Sequence, residues 1–221
     1  MARLARAVAP GAPHHVTQRG NRRMQTFFSD DDYQAYVELM AKWCGERGVS
    51  IWAYCLMPNH VHLIAVPETE ESLRLAIGEA HRRYSRMINF REGWRGHLWQ
   101  GRFASYVMDG GYLMACARYV EMNPVRAGLV ESPEEWAWSS ARAHLAGVDD
   151  ELVDAGALLE MAHSGWRDFL SLPTLTADEE RIRQHERTGR PLGSKVFITG
   201  LEASLGRRLR PHKGGRPRKT E

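Results

Sequence analysis

Two short apolar segments on either side of a tight turn constrain the fold of this chain most strongly. Residues 49–55 and 60–66 each have the length and apolar content of a β-strand, and Pro58 lies in the turn between them. We therefore predict a β-hairpin. Its second strand carries His60 and His62, which strand alternation directs to one face while Val61 points into the core.

The segments around this hairpin alternate between strand-like and helix-like patterns. A proline disfavours helical geometry at the residue before it, so the last helix should stop at Asn123-Pro124. The order β-α-β-β-α-β-α predicts an α+β fold, a ferredoxin-like antiparallel sheet with helices on one face. Besides the hairpin, the predicted elements are strands at 14–18 and 102–108, and helices from Ser29 to near Gly48, from 70 to about 90 and from 112 to 122.

Composition divides the chain into three predicted parts. Residues 1–146 form the main domain, 147–187 a helical extension, and 188–221 a tail rich in Gly, Arg and Pro. Seven basic residues and no acid lie between Arg207 and Lys219, so the rest of the chain, with 23 basic and 27 acidic residues, is mildly acidic. A basic tail of this kind either binds nucleic acid or is a solubilising end.

Cysteine usage and hydropathy indicate the compartment. The three cysteines are far apart in apolar contexts, which favours buried thiols over disulfides or a zinc site. We read no signal peptide, and no apolar run approaches the roughly 18 residues that a membrane span needs. We expect a cytoplasmic, nucleoid-associated protein with no membrane partner.

Four residues are candidates for the chemistry. Two convergent imidazoles, His60 and His62, suit a divalent metal. Tyr119 and Asn123 are four residues apart, which places them on nearly the same face of a helix. They offer a phenol nucleophile and a hard oxygen ligand compatible with Mg²⁺ or Mn²⁺. Spacing alone leaves open that Tyr119 packs against the core and that Asn123 caps the helix.

Five ordered motifs together resemble a known family. Residues 10–146, which contain all five, are similar to the single-tyrosine HUH transposases, and specifically to the REP-associated tyrosine transposases. The motifs are at residues 15–21, 57–63, 99–103, 119–128 and 136–140.

The resemblance implies a function for each candidate residue. His60 and His62 would bind the divalent metal, Asn123 would complete its site, and Tyr119 would attack a DNA phosphate. The product would be a 5′-phosphotyrosyl link and a free 3′-hydroxyl. The implied substrates are palindromic repeats that fold into hairpins, with flanking bases read as single strands.

Basic and aromatic residues are candidates for DNA contacts, and a solvated surface is the alternative for each arginine. Trp99, Phe103 and Tyr106 could stack on unpaired bases or pack in the core, and His14, His15, His81 and His97 have no assigned role. The tail around Arg216 resembles an AT-hook, but Gly214 stands where the usual hook has an arginine before the glycine. The DNA-binding candidates are Arg19, Arg22, Arg82, Arg83, Arg86, Arg102, Arg216 and Arg218.

The sequence thus supports a metal-dependent DNA transposase, which cleaves and rejoins single-stranded or hairpin DNA through a tyrosine. The alternative is a domesticated regulator that binds repeats without cutting them. A hydrolase of another substrate would need more acidic or histidine ligands than the sequence offers. The chain could act as a monomer or as a homodimer.

Overall fold

The computed structural model describes residues 6–162, 165–173 and 175–211. In chain order the strands are β1 (His14–Arg19), β2 (Val49–Met57), β3 (His60–Pro67) and β4 (Ala104–Val107). The helices are α1 (Asp30–Glu46), α2 (Ser72–Glu92), α3 (Gly110–Glu121), α4 (Asn123–Arg126), α5 (Ala141–Ala146), α6 (Gly156–Leu159), α7 (Trp166–Ser171), α8 (Thr176–Thr188) and α9 (Lys195–Ser204).

The strands form one antiparallel sheet in the order β2-β3-β1-β4. The predicted hairpin is present as β2 and β3, and the crossovers through α1 and α2 each skip one strand. Strand β1 pairs with β3 so that Thr17 lies opposite His62 and Arg19 opposite His60. This is the ferredoxin-like α+β sheet that the sequence predicts. The helices, however, do not all lie on one face as predicted, because α1 and α2 cover one face and α3 covers the other.

Side-chain alternation in β3 divides the interior into two layers. Val61, Leu63 and Ala65 are fully buried against α1 and α2, which lie together on one face. His62 and Ile64 point to the opposite face, which α3 covers. A strand buried on both sides reads as a nearly continuous apolar run, which explains the sequence of β3.

The segment 136–140 covers the open edge of β2. The Leu56 N–H donates to the Trp138 carbonyl at 2.8 Å, and the Ser140 N–H donates to the Tyr54 carbonyl at 3.0 Å. The Trp136 indole N–H donates to the Leu56 carbonyl at 3.0 Å. These bonds satisfy an edge strand that would otherwise present unpaired backbone groups.

The extension packs on the face of the sheet that α3 covers. Trp166 and Leu170 of α7 and Ile182 of α8 belong to the same buried cluster as Val120 and Tyr106. The predicted boundaries at 146 and 187 stay predictions, because the parts they separate share this core. Residues 212–221, the last ten of the predicted tail at 188–221, lie outside the described residues, and α9 lies in the part of that tail that the structure describes.

Three elements differ from their predicted bounds. The strand predicted at 102–108 is shorter, and the extension contains separate short helices before α8, which runs on to Thr188. Helix α3 ends at Glu121, and Asn123 begins the one-turn helix α4 instead of extending α3. Pro124 is tolerated there because the first turn of a helix needs no backbone donor.

Two predictions from composition can be compared with the described residues. Cys44, Cys55 and Cys116 are buried and free, as expected. Within the described ranges, every helix is too short or too polar to cross a membrane.

Candidate active site

The face of the sheet under α3 brings the two histidines and the tyrosine together. The ring centroids of His60 and His62 are 5.0 Å apart, and the Tyr119 ring lies 5.8 Å from that of His62. Strand β3 positions the imidazoles by alternation, and the buried side of α3 positions the phenol. The histidine pair and the tyrosine come from two motifs that are distant in sequence, and they lie close together in the fold.

Hydrogen bonds orient both histidine rings, and they fix the tautomer of His60. The Asn59 amide donates from Nδ2 to the Arg23 carbonyl at 3.0 Å, so its Oδ1 faces His60 and accepts from Nδ1 at 2.6 Å. The Nδ1 atom of His62 lies 2.9 Å from Nε2 of His15. These contacts leave Nε2 of His60 with its lone pair free to bind a metal.

His15 is a residue that the sequence analysis left without a role. Its Nδ1 lies 3.0 Å from the Tyr106 hydroxyl, which in turn bonds with Cys116. If Tyr106 donates to the thiol, His15 donates to Tyr106 and accepts from His62 Nδ1. This fully buried chain orients the His62 ring and leaves its Nε2 lone pair available, as a second shell does at metal sites.

Burial keeps both ligand candidates neutral. Burial, with Arg19 adding to it, lowers the pKa of His60 from 6.5 to about 3, and burial holds the pKa of His62 well below its usual value. Neutral imidazole is the form that binds metals. The two side chains are therefore in the required state at neutral pH.

Tyr119 lies in a polar but enclosed environment. Its side chain is 6 % exposed, and the Arg126 guanidinium lies over its ring at 4.2 Å. Arg183 and Glu186 of α8 lie near the hydroxyl and interact with it electrostatically. Burial, followed by the nearby Glu186, raises the pKa of Tyr119, while Arg126 and Arg183 oppose the rise. The phenol is thus protonated at rest but is held beside two cations.

Glu186 adds a carboxylate that the sequence analysis did not predict. Its Oε1 lies 3.7 Å from Nδ1 of His15 and 3.7 Å from Nδ1 of His62. Burial raises the pKa of Glu186 to about 7. Potential ligand atoms of these three residues lie within 4.8 Å of one another. Among the described His, Cys, Asp and Glu side chains, His15, His62 and Glu186 form the group of three that could hold a metal ion.

The chemistry of these donors fits a divalent cation. Imidazole nitrogen and carboxylate oxygen suit the first-row divalent metals. Within the described residues, the buried Oε1 of Glu186 has no hydrogen-bond donor, so a polar atom next to the histidines is left unsatisfied. This oxygen lies beside the Nδ1 atoms of His15 and His62, whereas the lone pairs left free for a metal are on the Nε2 atoms of His60 and His62.

Asn123 is the least constrained of the predicted site residues. It is half-buried at the start of α4, one turn after Tyr119. Its buried Nδ2 has no hydrogen-bond acceptor among the residues that the structure describes. Its part in a metal site stays a prediction.

The predicted DNA-binding arginines fall into separate groups. Arg19 and Arg102 line a cleft of about 220 Å³ together with His60, His62 and Glu186. The other four described candidates are exposed. Arg22 lies in a turn with a φ of 53°. The remaining three lie on α2, namely Arg82 and Arg83, which both form an ion pair with Glu79, and Arg86. Arg216 and Arg218 lie outside the described residues.

The three aromatic candidates are buried, as the core alternative predicts. Tyr106 is 1 % exposed, and its hydroxyl lies in the chain to His15. Trp99 and Phe103 are each 5 % exposed, but both line a second cavity beside α2.

The fold and this site define a class of proteins with a histidine pair on a central strand and a tyrosine on the helix above it. A comparison of the sequence with protein families matches residues 11–123 to the family described as "Transposase IS200 like". The match covers just over half of the chain. The chain belongs to the IS200-like transposase family.

Two similar proteins are more specific. A Haemophilus influenzae protein with the provisional name of a REP-associated tyrosine transposase is 27 % identical over 99 residues, which are 40 % of this chain. The chain spans about half of that relative, 56 % of its length. A solved structure of a REP-associated tyrosine transposase bound to a REP hairpin has 22 % identity and a TM-score of 0.58. It covers 69 % of this chain and 90 % of its own, which shows a shared fold.

Proposed function

We propose that this chain cleaves and rejoins single-stranded DNA at palindromic hairpin repeats through a covalent link to Tyr119. The observation that carries the proposal is the position of the Tyr119 ring, 5.8 Å from the ring of His62 and on the same face of the sheet as His60. A metal-binding pair alone would suit many hydrolases. A tyrosine beside it favours reversible strand transfer.

The metal ligands in this proposal are His60 and His62, with Asn123 as the predicted third. Glu186 is the carboxylate next to them. A bound Mg²⁺ or Mn²⁺ would polarise the scissile phosphate and neutralise charge on its non-bridging oxygens. Neutral imidazoles prepared by burial, and oriented by Asn59 and His15, support this assignment.

The tyrosine step uses the groups around its hydroxyl. Glu186, whose carboxylate lies near that hydroxyl, accepts the phenol proton, and Arg126 and Arg183 stabilise the developing phenolate. The Tyr119 oxygen forms a bond to phosphorus while the bond from phosphorus to the 3′ oxygen breaks, and that oxygen leaves as a 3′-hydroxyl after gaining a proton. The phosphotyrosyl ester preserves the bond energy, so a 3′-hydroxyl can reverse the step and rejoin strands.

Two observations support hairpin DNA as the substrate. The related structure contains a REP hairpin, as its description states. In this chain, Arg19 and Arg102 line the cleft that also contains His60 and His62. Arginines beside a phosphate site can hold the backbone on either side of the cleaved bond.

Adduct formation tests the proposal directly. Labelled hairpin oligonucleotides, copied from inverted repeats that flank the coding sequence, are incubated with the protein and Mn²⁺ and then separated on a denaturing gel. Wild type should give a covalent protein–DNA band, and Tyr119→Phe should give none. Tyr112→Phe is the matched control on the same helix, because Tyr112 bonds with Arg181 near the surface. A band of equal strength from Tyr119→Phe would refute the assignment.

Burial of the tyrosine favours a second candidate function, a regulator that binds repeats without cutting them. Tyr119 is 6 % exposed, and two side chains of α8, Arg183 and Glu186, lie near its hydroxyl. Such a regulator would bind the hairpins equally well in EDTA and would form no adduct under any metal condition. Metal-dependent adducts would exclude it.

A further inference from the structure

The segment after β1 contains a backbone turn that its sequence should disfavour. Arg22 has a φ of 53° and a ψ of 22°, and Arg23 has a φ of 63°, so two successive arginines lie in the left-handed region. The Met24 N–H donates to the Asn21 carbonyl at 2.9 Å, which closes a type I′ turn around them. Asparagine and glycine are the residues that suit the two central positions of such a turn. We call residues 21–24 the arginine turn.

The conformation of the arginine turn is strained. The left-handed region is unfavourable for any residue with a Cβ, because the Cβ crowds the following carbonyl oxygen. Strain of this kind persists where the surroundings impose it, and it is concentrated at functional sites. Because Asn-Gly would form the same turn without strain, the arginines at these two positions point to a use for their side chains.

Hydrogen bonds attach the arginine turn to the hairpin turn that precedes His60. The Gly20 N–H, just before the arginine turn, donates to the Asn59 carbonyl at 2.8 Å. The Asn59 side chain then bonds in two directions, since its Nδ2 donates to the Arg23 carbonyl at 3.0 Å and its Oδ1 accepts from His60 Nδ1 at 2.6 Å. One amide therefore joins the backbone of the arginine turn to the ring of a candidate metal ligand.

The side chains of the arginine turn add positive charge next to the cleft with the histidines. Arg19, two residues before the turn, lies opposite His60 in the β1–β3 register and lines that cleft. Burial, with the charge of Arg23 adding to it, lowers the pKa of Arg19, so these two cations lie close enough to repel each other. Arg22 and Arg23 are exposed, and neither forms an ion pair with an acidic residue in the part of the chain that the structure describes. Neighbouring guanidinium groups without acidic partners suit a DNA phosphate.

We propose that the arginine turn binds the DNA phosphate next to the one at His60 and His62, and that Asn59 transmits this contact to His60. A phosphate between the guanidinium groups offsets their repulsion and stabilises the strained turn. The stabilised turn keeps the Arg23 carbonyl in place for Asn59, which keeps the His60 ring aligned for the metal. Bound DNA therefore raises the affinity for the metal, and the metal raises the affinity for DNA by the same factor. The inference rests on the proposed function for its substrate.

The first test replaces the strained pair by residues that form the same turn without strain. Arg22→Asn combined with Arg23→Gly keeps the type I′ turn and removes both charges. Relief of the strain should raise the Tm by about 2–8 °C, while hairpin binding becomes weaker. The matched control is Lys42→Gln combined with Arg47→Gln, which removes two exposed charges at the C-terminal end of α1 and should leave the Tm nearly unchanged.

Binding is measured in the Tyr119→Phe background and in EDTA, so that neither cleavage nor a metal contributes. The affinity for a labelled hairpin is determined over a range of salt concentrations. For the Asn-Gly variant the plot of log affinity against log salt concentration should become shallower by about 0.7–1.8, which corresponds to the loss of one or two phosphate contacts. The control should keep nearly the slope of its parent, and an Asn-Gly variant with the slope and affinity of the control would refute the phosphate contact.

The second test isolates the link through Asn59. Asn59→Asp keeps an oxygen that accepts from His60 but loses the amide that donates to the Arg23 carbonyl. Calorimetry gives the Mn²⁺ affinity with and without saturating hairpin DNA, and the readout is the ratio of the two, so a change in the DNA-free affinity does not enter. DNA should raise the affinity of the Tyr119→Phe parent about 5- to 150-fold, and Asn59→Asp and the Asn-Gly variant should each lower this ratio about 5-fold or more. Direct contact between metal and phosphate is common to all three proteins and cannot cause the difference.

The outcomes separate this inference from the proposed function. A shallower salt slope together with a lowered ratio supports the inference even where wild type forms no covalent adduct. An unchanged slope or an unchanged ratio refutes it even where adducts form. Circular dichroism checks that each variant is folded. If the Asn-Gly variant does not fold, Arg22→Gln combined with Arg23→Gln, which removes the charges but keeps long side chains, takes its place with the same expected losses.

Discussion

The buried carboxylate of Glu121 offers the sharpest test of how the extension is held to the core. Glu121 is the last residue of α3 and is fully buried. Its Oε1 accepts hydrogen bonds from Ser140 Oγ at 2.5 Å and from His144 Nδ1 at 2.6 Å, and its Oε2 accepts from Trp166 Nε1 at 2.7 Å. The Glu121 side chain thus connects α3 to α5, to the residue before α5 and to α7. Glu121 is two positions after Tyr119.

The expected cost of Glu121→Ala follows from these contacts. The substitution leaves three buried donors without an acceptor, at about 1–3 kcal/mol each, although relaxation and water entry reduce the sum. We therefore expect the free energy of unfolding to fall by about 3–5 kcal/mol, which is less than the full sum for three unsatisfied donors. At about 2–4 °C per kcal/mol for a chain of this size, the Tm should fall by about 6–20 °C. Urea and thermal unfolding followed by circular dichroism measure both quantities.

The control is Glu46→Ala, which removes an exposed glutamate at the end of α1. It should change the free energy of unfolding by no more than about 0.5 kcal/mol. A Glu121→Ala protein that is as stable as the control would refute the reasoning. Combining Glu121→Ala with Trp166→Phe gives a further check, because groups that share a hydrogen bond should show a coupling energy of about 0.5–3 kcal/mol.

Three further substitutions test separate parts of the structure. Burial lowers the pKa of His81 from 6.5 to about 3, so as the pH drops the unfolded chain binds this proton first, and the folded state loses stability between pH 6.5 and pH 3. When the pH is lowered from about 8 to 5, the free energy of unfolding in urea should therefore fall by about 2 kcal/mol less in His81→Leu than in wild type. An equal fall in both proteins would contradict the burial effect. His15→Phe removes the bond that orients His62 and should weaken Mn²⁺ binding about 10- to 100-fold by calorimetry; unchanged affinity would exclude a positioning role. Gly20→Ala puts a Cβ 2.2 Å from a backbone carbonyl oxygen and should lower the free energy of unfolding by about 1–3 kcal/mol, measured by thermal unfolding. The control, Gly45→Ala, should be neutral or stabilising. Equal effects of the two substitutions would mean that the loop at Gly20 adapts.

The sheet could be predicted from the sequence because its signals are local. The β2–β3 hairpin follows from two apolar runs and a turn with Pro58, and α1 ends where Gly48 adopts a φ of 61°. The order of strands follows from the order of elements, since few topologies satisfy short and right-handed crossovers. The end of α3 was predicted correctly to within two residues, whereas the restart of the chain as α4 was not, because a proline at a helix start looks the same in sequence as one that stops a helix.

The part of the site that lies in motifs was also accessible from sequence. His60 and His62 share a face because strands alternate, and Tyr119 falls on the buried side of its helix. His15 could have been recognised only with the register of β1 against β3, which places it opposite Ile64 and therefore on the same face as His62. That register is set by tertiary packing, and the adjacent His14 gives an equally plausible pattern.

Glu186 and Arg183 carry no local signal at all. Both lie on α8 among many charged residues, and their spacing fits a solvated helix as well as a helix that covers a site. Their positions are set by Ile182, which is 1 % exposed and packs in the cluster under α3. A single apolar residue in a highly charged helix therefore brings two polar neighbours to the Tyr119 hydroxyl.

This dependence changes how the predicted domains relate to the site. The family match ends at residue 123, and the residues selected from motifs lie before that point or at it. The Tyr119 hydroxyl, however, lies near two residues of α8, and the buried carboxylate of Glu121 accepts a hydrogen bond from Trp166 of α7. Removing α7 and α8 would expose the apolar cluster under α3 and leave this carboxylate without its indole partner. The extension is therefore part of the structure that positions the tyrosine, and it would not separate from the first 146 residues without cost.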